Sequence, residues 1–150
     1  MTVPLDARRL TLSAEPRAAA EAREFTGKIL TEWGVTGDAA DDLLLIVSEL
    51  VTNAAVHGAA PIHLWLWTAN GCVRGAVDDH GDGMPRLIPQ EATPTGDISE
   101  HGRGLALVIS LARTLTWRRL PEGGVRVWFS YQPHDAARAR AGPARRPSGT

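Results

Sequence analysis

Cysteine, lysine and tyrosine occur only once each in the 150 residues. A single cysteine, Cys72, excludes an internal disulfide. The single lysine, Lys28, stands in "TGKI" with no glycine five residues before Gly27, which excludes a P-loop. Long apolar runs are missing too. None approaches the roughly 18–20 residues of a membrane span, and the opening "MTVPLDARRL" lacks the apolar core of a signal peptide. These absences lead to the expectation of a soluble cytoplasmic protein with no membrane contact. Charge of one sign is not in excess either. The formal net charge is −1, which argues against direct nucleic-acid binding.

What the chain does have is apolar content, 43%, at a length that suits one domain with a sizeable core. Its charge is unevenly placed. Residues 134–150, "HDAARARAGPARRPSGT", carry Arg138, Arg140, Arg145 and Arg146 against Asp135, leaving 12 basic and 16 acidic residues in 1–133. The expected organisation is a mildly acidic domain over 1–132 and a disordered basic tail over 133–150. Contact between that tail and an acidic partner is the other reading. No internal repeat is present.

Periodicity places the elements. "RRLTLSAEP" (8–16) reads as a short strand and a turn. Residues 14–34 read as a helix with an apolar stripe of Ala19, Ala22, Phe25, Ile29 and Leu30. Asp38 is the expected N-cap of a second helix over 39–57, stopped by Gly58. Its middle, "DLLLIVSEL", is apolar nearly all round, so this helix should be central and buried. Residues 61–85 read as two strands joined at "ANG". Residues 86–103 hold two prolines and two glycines without a period and read as a long loop. "GLALVISLAR" (104–113) reads as an apolar helix, and 114–131 as a hairpin turning at "PEGG", with Val125, Val127, Phe129 and Tyr131 on one face.

Three polar signals interrupt this pattern. In "SELVTNAAVHG" (48–58), Glu49 and Asn53 are four apart and share a helix face. A carboxylate and an amide on a buried face are costly unless they bind something. Oxygen donors of this kind suit Mg²⁺, which takes few protein ligands and shares the rest with phosphates. The plainer reading is an exposed stripe with His57 and Gly58 ending the helix. In "DDHGDGMP" (78–85), Asp79, Gly81 and Gly83 form D-x-G-x-G at a strand end. Such an Asp can accept a hydrogen bond from an exocyclic amine such as that of adenine, and the glycines permit close approach. An ordinary turn has the same composition. In "HGRGLAL" (101–107), Gly102 and Gly104 lead into a helix whose N-terminal amides and dipole suit phosphate. A flexible loop and a helix start would read the same way. The order and spacing of the three signals are more specific than any one of them.

Together these motifs resemble the N, G1 and G2 boxes of the GHKL superfamily, which includes gyrase, heat-shock chaperone, histidine kinase and mismatch-repair ATPases. The N box is "ELVTNAAVHG", the G1 box "DDHGDG" and the G2 box "GRGL". The short chain and the form "SELVTNAAVHG" are most similar to the small anti-sigma factor/serine-protein kinases and ATPase-like regulators of actinobacteria. The resemblance covers residues 8–131. It implies an α/β sandwich, the Bergerat ATP-binding fold, with a mixed, mostly antiparallel sheet and helices on one face.

The resemblance also implies roles. Asn53 would hold Mg²⁺ at the ATP phosphates, and Glu49 would be the general base. Asp79 would bind the adenine amine, with Gly81 and Gly83 shaping the base pocket. Gly102, Arg103, Gly104 and Leu105 would close over the phosphates, with 86–101 as a lid. The implied activity is Mg-ATP-dependent phosphorylation of a serine on an anti-anti-sigma (antagonist) protein, alongside sequestration of a sigma factor; a homodimer is compatible with it. His80 and Asp82 place extra polar groups in the G1 loop, and a carboxylate near phosphates repels them unless it faces solvent or metal. They motivate an alternative: a regulator of transcription that binds nucleotide weakly or not at all and acts through protein contacts.

Overall fold

The computed structural model describes residues 2–82 and 100–133, with side chains described from residue 105 in the second stretch. Chain order is β1 (Arg8–Leu12), α1 (Ala18–Glu32), α2 (Gly37–His57), β2 (Ile62–Ala69), β3 (Cys72–Asp79), α3 (Glu100–Leu111), β4 (Thr114–Arg119) and β5 (Val125–Tyr131). The strands form one sheet in the order β1-β2-β3-β5-β4. The sheet expected to be mixed and mostly antiparallel is antiparallel at every described pairing.

Tight turns set the register. Asn70 and Gly71, with φ of 53° and 76°, join β2 to β3. Two successive positive φ values match the twist of the strands they connect, which is why "ANG" makes this hairpin. The resulting register sets Asp78 opposite Arg126 and Asp79 opposite Val125. The "PEGG" turn joins β4 to β5, with Gly123 and Gly124 both at positive φ.

Strand alternation then sorts side chains to two faces. Leu64, Leu66, Val77, Val125, Val127, Phe129 and Tyr131 face the helices and join one core with Leu43, Ile46, Val47, Leu50 and Val51 of α2. The expected stripe of α1 is largely met: Ala22, Ile29 and Leu30 are buried, with Ala18 and Thr26 beside them. Leu105 and Val108 bring α3 into the same core. Its hydroxyl donating to Asp42 Oδ2 at 2.6 Å, Tyr131 ties the sheet to α2.

The other sheet face carries a second cluster. Trp67, Ala76 and Trp128 are buried there, with Val3, Ala7 and Trp65 against them. Arg126 donates to both oxygens of buried Asp78 at 2.6 Å and lies over the Trp128 ring.

Two helix starts differ from expectation. The second helix begins at Gly37 with Thr36 in the N-cap position, so Asp38 lies in the first turn. There its carboxylate still complements the positive end of the helix dipole. The third helix begins at Glu100, so Gly102, Arg103 and Gly104 fall within its first two turns, not ahead of it. Burial of Leu105 and Val108 outweighs the ~1 kcal/mol each glycine costs inside a helix. The expected loop and lid lie mostly at 83–99, outside the described residues, as do Gly83 and tail residues 134–150.

Candidate functional site

Three consecutive residues at the end of β3 are divided by strand alternation. Asp78 points to the helix-free face and is taken up by Arg126. His80 returns to that same face, where its ring meets His63 edge-on at 5.8 Å. Only Asp79 faces the helices. It lines a cleft with Leu50, Asn53, Ala54, His57 and Gly58 from α2 and its end, and Val77 and Val127 from the sheet.

The carboxylate of Asp79 is held from its own loop and from the connector after α2. Its Oδ1 accepts the Gly81 amide at 2.8 Å, and the Ala59 amide also hydrogen-bonds the carboxylate. Burial pushes its pKa above the ordinary carboxylate value, while those two amides oppose the shift. Two amide bonds leave a carboxylate with acceptor capacity, since it offers about four lone-pair sites.

Glycines make the approach possible. A Cβ on Gly58 would fall on the Asp79 carboxyl and on the Ala54 carbonyl oxygen. One on Gly81 would come within 2.9 Å of Gly58 Cα, and one on Gly124 would strike the Asp79 carbonyl oxygen. Gly58 and Gly124 were legible in the sequence only as a helix stop and a turn. Their part at Asp79 had no local signal, apart from Gly58 being the last residue of the N-box run.

The remaining expected site residues are placed as follows. Asn53 and His57 line the cleft, and Glu49 stands one turn before Asn53, half-buried and outside the lining. Gly81 packs on Gly58 beside Asp79. Gly102, Arg103 and Gly104 lie in the first two turns of α3, and of the three only Gly102 is early enough for its amide to lack an intrahelical partner. Leu105 is buried in the core, so its side chain anchors α3 and does not reach a ligand. Asp82 is exposed, and His80 is turned away from the cleft. Neither lines the described pocket.

The donor set fits an adenine nucleotide: a half-buried carboxylate acceptor beside an apolar wall, held by a backbone contact that side chains at 58 and 81 would disrupt. Among the described residues no group of three or more His, Cys, Asp or Glu could hold a metal ion. An ion here would rest on few protein oxygens and on phosphate, which is the habit of Mg²⁺.

A family model described as a histidine kinase-like ATPase domain matches residues 12–131. The chain belongs to that family. ATP binding comes with membership of this ATPase family, and the match spans every described strand and helix except β1, of which it includes only Leu12. No curated protein matches the chain. Among solved structures it is similar to the RsbU and RsbW domains of Rv1364c from Mycobacterium tuberculosis, at 24% identity and a TM-score of 0.63. That likeness covers 86% of this chain and 33% of the other, so the chain spans about a third of that structure. At such identity the likeness is one of fold. A blue-light activated histidine kinase domain from Erythrobacter litoralis EL346 gives 20% identity, 76% and 60% coverage and a TM-score of 0.49. Histidine kinase AdeS from Acinetobacter baumannii gives 14% identity, 87% and 70% coverage and a TM-score of 0.44. No helix among the described residues of this histidine kinase-like ATPase domain is long and apolar enough to cross a membrane.

Proposed function

We propose that this ATPase domain is a regulatory protein kinase of the anti-sigma type, which uses Mg-ATP to phosphorylate a serine of an antagonist protein. One observation carries the reading: folding brings Asn53 and His57 of α2 and Asp79 of β3 into one cleft, although Asn53 and Asp79 are distant in sequence. The N-box form "SELVTNAAVHG" supports the anti-sigma branch, as does a fold shared with a structure that contains an RsbW domain.

In this reading Asp79 accepts the adenine amine, and the close contact of Gly81 with Gly58 keeps its carboxylate at the cleft. The apolar wall of Leu50, Val77 and Val127 excludes water from it. When bound, Mg-ATP supplies the phosphoryl group and the cation that neutralises its charge. Asn53 offers the metal an amide oxygen. One turn farther from Asp79, Glu49 accepts the proton of the serine hydroxyl. The free amides at the start of α3, up to that of Gly102, donate to phosphate, with Arg103 and Gly104 following directly behind them. A sigma factor and the antagonist are the expected protein partners.

Calorimetric titration of Mg-ATP, paired with a phosphotransfer assay on an antagonist protein, tests this. Asp79→Asn should weaken binding by ~10–100-fold, the value of a hydrogen bond to a charged group. Glu49→Ala should keep affinity within about three-fold while transfer falls by ~10²–10⁴-fold. Well-folded wild type without nucleotide affinity would sink the kinase reading in favour of a protein-interaction regulator.

A further inference from the structure

The sequence makes His80 look like an intruder in a glycine-rich loop. Its position in the fold suggests otherwise. Following Asp78 and Asp79 at the strand end, it turns to the helix-free face. There its Nδ1–H donates to the Pro61 carbonyl oxygen at 2.7 Å. A carbonyl can only accept, so this bond fixes the tautomer with the proton on Nδ1. Pro61 belongs to the connector between α2 and β2, and so does Ala59, whose carbonyl accepts the His80 amide at 2.9 Å.

We propose that His80 is a positioning residue for nucleotide binding, clamping the loop after β3 to the α2–β2 connector and so aiming the Asp79 carboxylate. The inference rests on the reading that Asp79 receives the base. The Asp79 carboxylate has one amide donor on each of these segments, Gly81 on the loop and Ala59 on the connector. Its direction therefore depends on the two segments keeping their separation. Gly81 lies against Gly58 with no room for a side chain, so the segments already touch on the cleft side. On the far side the His80–Pro61 bond closes the contact. The clamp leaves the cleft free, because the imidazole lies one residue beyond Asp79 and on the opposite face. The ring is further steadied by His63, which is itself within hydrogen-bond distance of Thr11 Oγ1 at 3.1 Å.

The test compares wild type, His80→Ala and His80→Asn by Mg-ATP titration, thermal unfolding and amide exchange. Asparagine carries an N–H donor where histidine has Nδ1. The alanine variant should bind Mg-ATP about five-fold more weakly and exchange the Ala59 and Gly81 amides about five-fold faster, the value of one ordinary hydrogen bond. The asparagine variant should restore both to within about two-fold, with thermal midpoints close to wild type throughout because His80 is exposed. Unchanged affinity and exchange in His80→Ala would overturn the clamp. So would an asparagine variant as impaired as alanine, since the donor would then not be the cause. If folded wild type binds no nucleotide, the reading of Asp79 fails. Faster exchange in His80→Ala would then still support the clamp, and unchanged exchange would overturn it.

Discussion

Asp78 and Asp79 are chemically identical neighbours with opposite environments. Asp78 is nearly enclosed and meets the Arg126 guanidinium through two 2.6 Å bonds, with the Trp65 indole N–H at 3.4 Å. Asp79 is held by the Gly81 and Ala59 amides with no such ion pair among the described residues, and burial raises its pKa. The consequences for stability are opposite. A carboxyl raised in the folded state stabilises most below its unfolded value, and that contribution is lost as pH climbs through the folded value. The ionised form of Asp79 is therefore the less favourable one for the fold. Asp79→Asn should leave the thermal midpoint unchanged or higher at pH 7 and reduce the loss of stability as pH rises above the ordinary carboxylate range. Asp78→Asn should cost about 2–3 kcal/mol, because it leaves a largely buried guanidinium unpaired. Thermal unfolding of both variants at pH 4 and pH 7 checks the pair. A drop at Asp79→Asn equal to that at Asp78→Asn would contradict the assignment.

At the scale of elements, the site depends on how closely α2 ends against β3. The helix stops at Gly58, whose missing side chain lets the last turn lie against Asp79. Gly58→Ala would put a methyl group onto a carboxyl and a carbonyl at once. The carboxyl is pinned by two amides and the carbonyl belongs to the last turn of α2, so the Asp79 side chain must leave its donors and the helix end must shift. The expected cost is about 1–3 kcal/mol, with Mg-ATP affinity falling more than the unfolding midpoint suggests. Parallel denaturation and titration measure the two effects. The α3 start shows the converse: glycines read as a loop are carried into a helix because Leu105 and Val108 downstream are buried.

At the scale of the molecule, three helices among the described residues cover one side of a five-stranded antiparallel sheet. The layers share the apolar core, and a polar bond links them near its edge. Tyr131, near the C-terminal end of the fold, donates to Asp42 in the second turn of α2, 89 residues away. Both strand and helix lead to the cleft, through Val127 and Asn53. Tyr131→Phe removes a hydroxyl from a carboxylate and should cost about 2 kcal/mol. Urea unfolding should show a lower midpoint with an unchanged slope, the mark of altered stability without altered exposure. A changed slope would mean that the two layers unfold separately.

The sequence by itself determined the elements and the motif positions. The helix and strand periods, the "ANG" and "PEGG" turns, and the spacing of Glu49 from Asn53 and of Asp79 from Gly81 are local properties, set by neighbours a few residues away. The tertiary structure decided which aspartate faces the cleft, where His80 points, and why Gly58 and Gly124 cannot carry a side chain. Those depend on sheet register and on contacts between distant segments. A one-residue slip would exchange Asp78 and Asp79 between faces. Nothing in the composition of "DDHGDG" carries that register. It is set by the hairpin at Asn70–Gly71 and by the packing of β3 against β5 and α2.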